Sequence, residues 1–173
     1  MRATKSGEIH VSVPWGVPRA TVERFVEEHR DWMAKALERT AQRERKDAAF
    51  YSRMTLRTRR ERQEADSRLG ELIAPMMEKY AALTGKRPLS VKFNSARTRW
   101  GSCNKRTREI RFSRYLLLLP EFCVEHVVAH EMAHLLVANH GPRFYAVMDR
   151  IFPLWKEARK ATRAAVDGGQ SIG

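Results

Sequence analysis

The sequence predicts a fold that combines several α-helices with a few short β-strands, and three observations support this. Polar and apolar residues alternate at 8–13, 89–94 and 109–113, which is the period of a half-buried strand. Longer segments between and after them have apolar residues three and four apart, which is the period of an amphipathic helix. One of these helical segments, at 124–136, carries the motif His-Glu-x-x-His. The rest of the chain is expected to be organised around this helix.

The composition is that of a globular protein and argues against several other classes. At 173 residues, 43% of them hydrophobic, the chain is long enough for one domain, and we expect a single domain over residues 1–173. No apolar run approaches the ~18 residues that a transmembrane helix needs. Residues 1–7 lack the apolar stretch of a signal peptide, and two cysteines are too few for a disulfide framework. A reduced, cytoplasmic location is the expectation.

The charge is strongly positive, with a formal net charge of +13 and a pI near 10.4. A basic surface attracts nucleic acid, anionic membranes or phosphorylated substrates, and it can also serve solubility alone. Basic residues crowd the segment 39–64, where mixed charges and good helix formers predict an exposed helix. This helix would either contact phosphates or form a solvated face.

The first half of the chain alternates between turns and long helices. The strand at 8–13 ends at the turn residues 14–18. Apolar residues from Val22 to Leu37 trace one face of a helix, and those from Leu69 to Leu83 trace another. Pro75 would kink the second of these helices or open its second half.

The second half places strands first and helices after them. Short strands are expected at 89–94, 99–103 and 109–113. Gly101, within the second of these, would allow close approach of the backbone. Helices are expected after Pro120, at 144–151 and at 154–166. Residues 167–173 are expected to form a frayed tail.

The His-Glu-x-x-His motif predicts a catalytic metal site. His130 and His134 are four residues apart, so on a helix their imidazoles lie on one face and can bind one ion. Glu131 is rotated by about 100° from His130 and can reach a water on that ion. His140 lies in a predicted turn, where it could fold back as a third ligand. Three protein ligands leave a fourth position open, which distinguishes a catalytic zinc from a structural one.

An alternative for these residues is ordinary packing. A single histidine on an apolar helix is usually a hydrogen-bonded core residue. Ordinary packing explains two histidines and a glutamate at these spacings less well, because burying three titratable groups without a metal or a hydrogen-bonded partner is costly. The metal site is therefore the favoured interpretation.

Two segments of the sequence resemble the YgjP-like metallopeptidase family, which is related to the SprT-like proteases. One segment is Arg99-Trp100-Gly101-Ser102-Cys103. The other runs from the His-Glu-x-x-His motif to Asn139-His140-Gly141-Pro142-Arg143-Phe144. The similarity is strongest from Leu89 to Trp155 and extends to residues 11–14, so it covers most of the chain.

The resemblance implies a zincin-like α+β fold of the minigluzincin type, with a small antiparallel sheet packed on the metal helix and long helices before it. The metal-site core would be residues 89–155. The resemblance also implies Zn²⁺ held by His130, His134 and His140, with Glu131 as the catalytic acid and base. It implies an additional strand ahead of 8–13, and since the chain begins close to that point, we expect a shortened sheet edge or start.

The first functional hypothesis is zinc-dependent hydrolysis of a peptide or protein. Zinc lowers the pKa of a water to about 7 and polarises the substrate carbonyl. Glu131 would move a proton from that water to the leaving amine. An oxyanion stabiliser is also required, and Arg99, Ser102 and Tyr145 are candidates by residue type.

Two alternatives stay open. The same site could cleave a phosphoanhydride with lysines or arginines holding the phosphates, and a nucleoside triphosphate pyrophosphatase activity is attributed to the family's namesake. The protein could instead be a basic nucleic-acid-associated module with a structural metal. Against that alternative, the sequence lacks the cysteine-rich set of four ligands that a structural zinc site uses. It also has no helix-turn-helix signature and no RNA-binding aromatic motif.

Overall fold

The structure is a computed structural model that describes residues 1–4 and 7–168, and its elements fall into two units, Met1–Ala49 and Phe50–Gly173. Among the described residues it contains six α-helices and two small sheets, which confirms a fold of mixed α and β elements. The single domain over 1–173 stays a prediction. Residues 169–173 of the expected tail lie outside the described residues.

The first unit begins with a two-stranded sheet. β1 (Arg2–Ala3) pairs antiparallel with β2 (Ile9–His10), so the strand predicted at 8–13 pairs over two residues only, and a short strand precedes it. Two helices follow, α1 (Arg19–Glu28) and α2 (Arg30–Ser52). The last three residues of α2 belong to the second unit. The helix predicted from Val22 to Leu37 is therefore interrupted. His29 ends α1, and its Nδ1 lies 2.7 Å from the carbonyl oxygen of Phe25, one of the last carbonyls of that helix.

The basic segment 39–64 is not one exposed helix, which corrects the prediction. α2 ends at Ser52, residues 53–58 are not helical, and α3 (Arg59–Thr84) begins after them. Phe50 and Tyr51, at the end of α2, are buried with only 4% and 7% of their surface exposed. Composition alone does not reveal this, because two apolar residues are few among so many charges.

A capping box explains why a new helix begins at Arg59. The hydroxyl of Thr58 accepts a hydrogen bond from the backbone N–H of Glu61 at 3.1 Å, and the Glu61 carboxylate accepts one from the N–H of Thr58 at 2.8 Å. These bonds satisfy two donors that have no partner within the helix. α3 then runs through Pro75 without ending there.

The second sheet is mixed and not wholly antiparallel, which corrects the prediction. Its strand order is β3 (Ser90–Asn94), β5 (Glu109–Ser113), β4 (Gly101–Asn104). β3 runs parallel to β5, and β4 runs antiparallel to β5, with Gly101 opposite Phe112. The reason is the connection: residues 95–100 carry the chain past the position that β5 later fills, and a tight hairpin then returns β5 between the two earlier strands.

The helix with the His-Glu-x-x-His motif is the centre of the second unit. Four elements pack against α4 (Glu121–His134), namely α3, β4, α5 (Pro142–Ile151) and α6 (Trp155–Val166). Buried residues occur on nearly all sides of α4, and not along a single stripe as the spacing predicts. Within the described part of the chain, neither α4 nor another helix has the length and hydropathy needed to cross a membrane.

Candidate metal centre

Three imidazoles converge at the C-terminal end of α4. The Nε2 atom of His134 lies 3.1 Å from the Nε2 atoms of both His130 and His140, and these two are 2.9 Å apart. His130 and His134 share one face of the helix because they are one turn apart. The chain turns back after α4 and brings His140 to them. In residues 1–4 and 7–168 this is the one group of three potential ligands so arranged.

The spacing of the three nitrogens fits a single metal ion. Nitrogen ligands about 2.0–2.1 Å from a tetrahedral ion lie about 3.3–3.4 Å from one another, which is close to the observed 2.9–3.1 Å. Hydrogen bonds cannot satisfy all three atoms at once, because each neutral imidazole offers either one proton or one lone pair at Nε2. A shared cation takes all three lone pairs. The residues present could therefore hold a metal.

His134 is held in the tautomer that a metal ligand needs. Its Nδ1 lies 3.0 Å from the carbonyl oxygen of Val137, so the proton belongs on Nδ1 and the lone pair on Nε2. Burial lowers the pKa of His134, and burial followed by the neighbouring His134 and His140 lowers the pKa of His130 to about 3. Both imidazoles are thus neutral at neutral pH, as ligation requires.

Phe144 forms an apolar base under the three imidazoles. Its side chain is 1% exposed, and its ring centroid lies 4.8, 4.6 and 4.8 Å from those of His130, His134 and His140. α5 begins at Pro142, directly after the turn with His140, and this start places Phe144 beneath that turn. The sequence predicts a helix here but does not indicate that one ring contacts all three candidate ligands.

Glu131 is buried against the strand β4. It is 5% exposed, and a Cβ atom added to Gly101 would lie 2.6 Å from its Cγ and Oε1 atoms. Its Oε2 atom is buried and has no hydrogen-bond partner among the described residues. Burial raises the pKa of Glu131 to about 8, and the positive charge of Arg99 opposes this rise. At that pKa the acid form predominates at neutral pH, whereas a cation bound at the three imidazoles would favour the carboxylate that a base requires. The buried oxygen without a partner is suited to form a hydrogen bond with a ligand or water.

The three candidate oxyanion stabilisers differ in position. Arg99 lies two residues before Gly101, ahead of the start of β4, and its positive charge acts on Glu131. Ser102 faces the opposite side of the sheet, where it pairs with Arg111. Tyr145 stacks on Trp155 of α6, with ring centroids 5.0 Å apart. Of the three, Arg99 is the one whose charge acts on the proposed base.

His126 is a residue near the site that sequence reasoning missed. It precedes His130 by one helical turn, with ring centroids 6.1 Å apart, and its Nδ1 is buried without a hydrogen-bond partner among the described residues. Burial, and then the charge of Arg159, lowers its pKa to about 4. The four-residue spacing from His130 is the signal that could have identified it.

Comparison with known proteins agrees with the sequence resemblance. The model of a family described as "YgjP-like, metallopeptidase domain" matches residues 1–65 and 56–165, which includes β4, the His-Glu-x-x-His helix and His140. No curated protein and no solved structure matched the chain.

Proposed function

We propose, since the chain belongs to the YgjP-like metallopeptidase family, that it is a zinc-dependent peptidase of zincin-like fold with Glu131 as its general base. One observation carries the proposal. Three Nε2 atoms lie 2.9–3.1 Å apart, and the residue that follows the first of these histidines is a buried glutamate with an unpartnered oxygen.

The proposed ligands are His130, His134 and His140, and three protein ligands suit a catalytic zinc because a structural site has four. Bound zinc supplies Lewis acidity, which lowers the pKa of a water to about 7 and polarises a carbonyl. Glu131 accepts the proton of the attacking water and passes it to the leaving amine. Arg99, whose positive charge acts on Glu131, is the candidate for stabilising the oxyanion.

The position of β4 supports a peptide as the substrate. β4 is an edge of the described sheet, since only β5 pairs with it. The N–H and C=O groups on the other side of an edge strand can pair with an extended peptide. Because Gly101 of this strand contacts Glu131, a peptide bound along the edge passes beside the base.

The experiment that tests the proposal compares Glu131→Gln with the wild type. The variant is expected to bind one zinc per chain and to lose at least about 100-fold in kcat, because an amide cannot accept the proton. The matched control His130→Ala is expected to lose zinc and turnover together. Zinc content by elemental analysis and cleavage of an unfolded protein substrate give the two readouts. Full hydrolysis by Glu131→Gln would show that Glu131 is not the base.

A second candidate function is hydrolysis of a nucleoside triphosphate. The observation that favours it is a hollow beside the loop that carries His140, lined by Lys105, Arg143 and residues 136–139. Exposed lysine and arginine side chains can hold phosphate oxygens. Wild type and a Lys105→Ala/Arg143→Ala variant should be assayed with both substrate classes. Triphosphate hydrolysis that this variant loses, without any peptide cleavage by the wild type, would support the second function.

A further inference from the structure

We infer that Gly101 is a positioning residue for Glu131: it has no side chain, and the space thus left is filled by the Glu131 carboxylate beside the three imidazoles. The inference rests on the proposed role of Glu131 as the base. It gives Arg99–Cys103, the segment of family resemblance that precedes the metal helix, a function in the site.

The contact distances leave no room for a side chain at position 101. An added Cβ would lie 2.6 Å from the Cγ and Oε1 atoms of Glu131 and 2.8 Å from its Cδ atom, and real Cβ contacts are essentially never shorter than 3.0 Å. The backbone of Gly101 does not itself require glycine, because its φ is not positive, unlike that of Gly85. Steric clearance for Glu131 is therefore what a glycine provides here.

Packing confines the Glu131 carboxylate, on which the charge of Arg99 also acts. Within the described residues no hydrogen bond or ion pair holds it, and its Oε2 atom is buried without a partner. The side chain starts from α4, which is packed on several sides, and it is 5% exposed. The wall formed by Gly101 is consequently one of the surfaces that limit where the carboxylate can lie.

β4 is fixed firmly enough to act as such a wall. The backbone N–H of Ser113 donates to the carbonyl oxygen of Trp100 at 2.8 Å, which extends the ladder with β5 to the residue before Gly101. The Trp100 ring packs near Phe50 and Tyr51, with centroids 6.0 and 6.3 Å away. A side chain at position 101 would therefore displace Glu131 more easily than the strand.

The loop that leads into β4 is held as well. The Ser113 hydroxyl donates to the carbonyl oxygen of Ala96 at 2.6 Å, and the Tyr51 hydroxyl donates to that of Arg97 at 2.9 Å. The Arg97 guanidinium lies over the rings of Tyr51 and Tyr115, 5.2 and 5.4 Å from their centroids. These contacts fix the strand at its start, immediately before the residue that touches the base.

The first test is a stability cycle that does not depend on turnover. Thermal unfolding of the zinc-free protein is measured for wild type, Gly101→Ala, Glu131→Ala and the double variant. In the protein that retains Glu131, Gly101→Ala is expected to lower Tm by about 5 °C, because the added methyl group overpacks the space that Glu131 fills. In the Glu131→Ala background it should leave Tm unchanged or raise it, since the methyl group fills vacated space. An equal fall in both backgrounds would overturn the inference, and so would a double variant that fails to fold.

The second test measures catalysis in the zinc-loaded protein. Gly101→Ala is expected to retain one zinc per chain and an unchanged KM, and to lose at least about tenfold in kcat because the base is displaced. Gly70→Ala is the matched control, since the nearest atom to its added Cβ is Phe93 Cζ at 3.9 Å, and it should keep full activity. Wild-type kcat in Gly101→Ala would overturn the inference. Failure of the proposed function appears separately, as hydrolysis by Glu131→Gln.

Discussion

Phe144 shows how a residue without chemistry of its own shapes the site. Its ring lies 4.6–4.8 Å from all three imidazoles and is almost wholly buried. Close packing of this kind restricts rotation of the three imidazole rings. Phe144 thereby helps to keep the three Nε2 atoms close together.

Replacing Phe144 by alanine should weaken both the fold and the metal site. Loss of a buried phenylalanine costs about 3–5 kcal/mol, measured by urea unfolding of the zinc-free protein. We expect zinc affinity to fall by about 10- to 100-fold, the range for residues that orient metal ligands, measured by competition with a chelating dye. Phe122→Ala, at a side chain 37% exposed, serves as the control. A folded Phe144→Ala protein with unchanged zinc affinity would contradict this account.

Local spacing predicts part of the site, and tertiary contacts supply the rest. The shared face of His130 and His134 follows from helical periodicity alone. The contact between Glu131 and Gly101 joins residues thirty positions apart, and it depends on how β4 packs on α4. No pattern within one segment encodes such a contact, although a glycine in a predicted strand is a signal that something approaches closely.

The elements show the same division between local and long-range information. The spacing predicts helices at 144–151 and 154–166 nearly as observed, because α5 and α6 each have a clear apolar face. Charge patterning does not predict the break at 53–58, because charged residues continue through it and the capping box that starts α3 uses only Thr58 and Glu61. The parallel pairing of β3 and β5 is not predicted either, because sequence spacing does not reveal which strand lies in the middle of the sheet.

The capping box predicts a measurable contribution of Thr58 to stability. Thr58→Ala removes the oxygen that accepts the Glu61 N–H at 3.1 Å and should cost about 1 kcal/mol of unfolding free energy. Thr58→Ser keeps that oxygen and should cost much less. Equilibrium unfolding in urea gives both values. Equal losses in the two variants would mean that the methyl group, and not the cap, is what stabilises this helix start.

At the scale of the whole molecule, the sequence defines the net positive charge of the chain but not whether that charge binds a partner. The excess of lysine and arginine over acidic residues lies mostly in the unit Phe50–Gly173, which also contains the candidate metal centre. Exposed ion pairs such as Arg60–Glu64 contribute little to stability. Binding of a nucleic acid to this basic surface is a proposal. The measurement that tests it is affinity for DNA or RNA as a function of salt concentration, which should fall steeply as salt rises.

The most direct test of the account is the coordination of the metal in the zinc-loaded protein, measured by crystallography together with elemental analysis. We expect one zinc per chain, held by the Nε2 atoms of His130, His134 and His140 at about 2.0–2.1 Å, with a fourth position open to solvent. Carefully loaded protein without stoichiometric metal would contradict it. So would a zinc closed off by a fourth protein ligand, or one bound elsewhere in the chain.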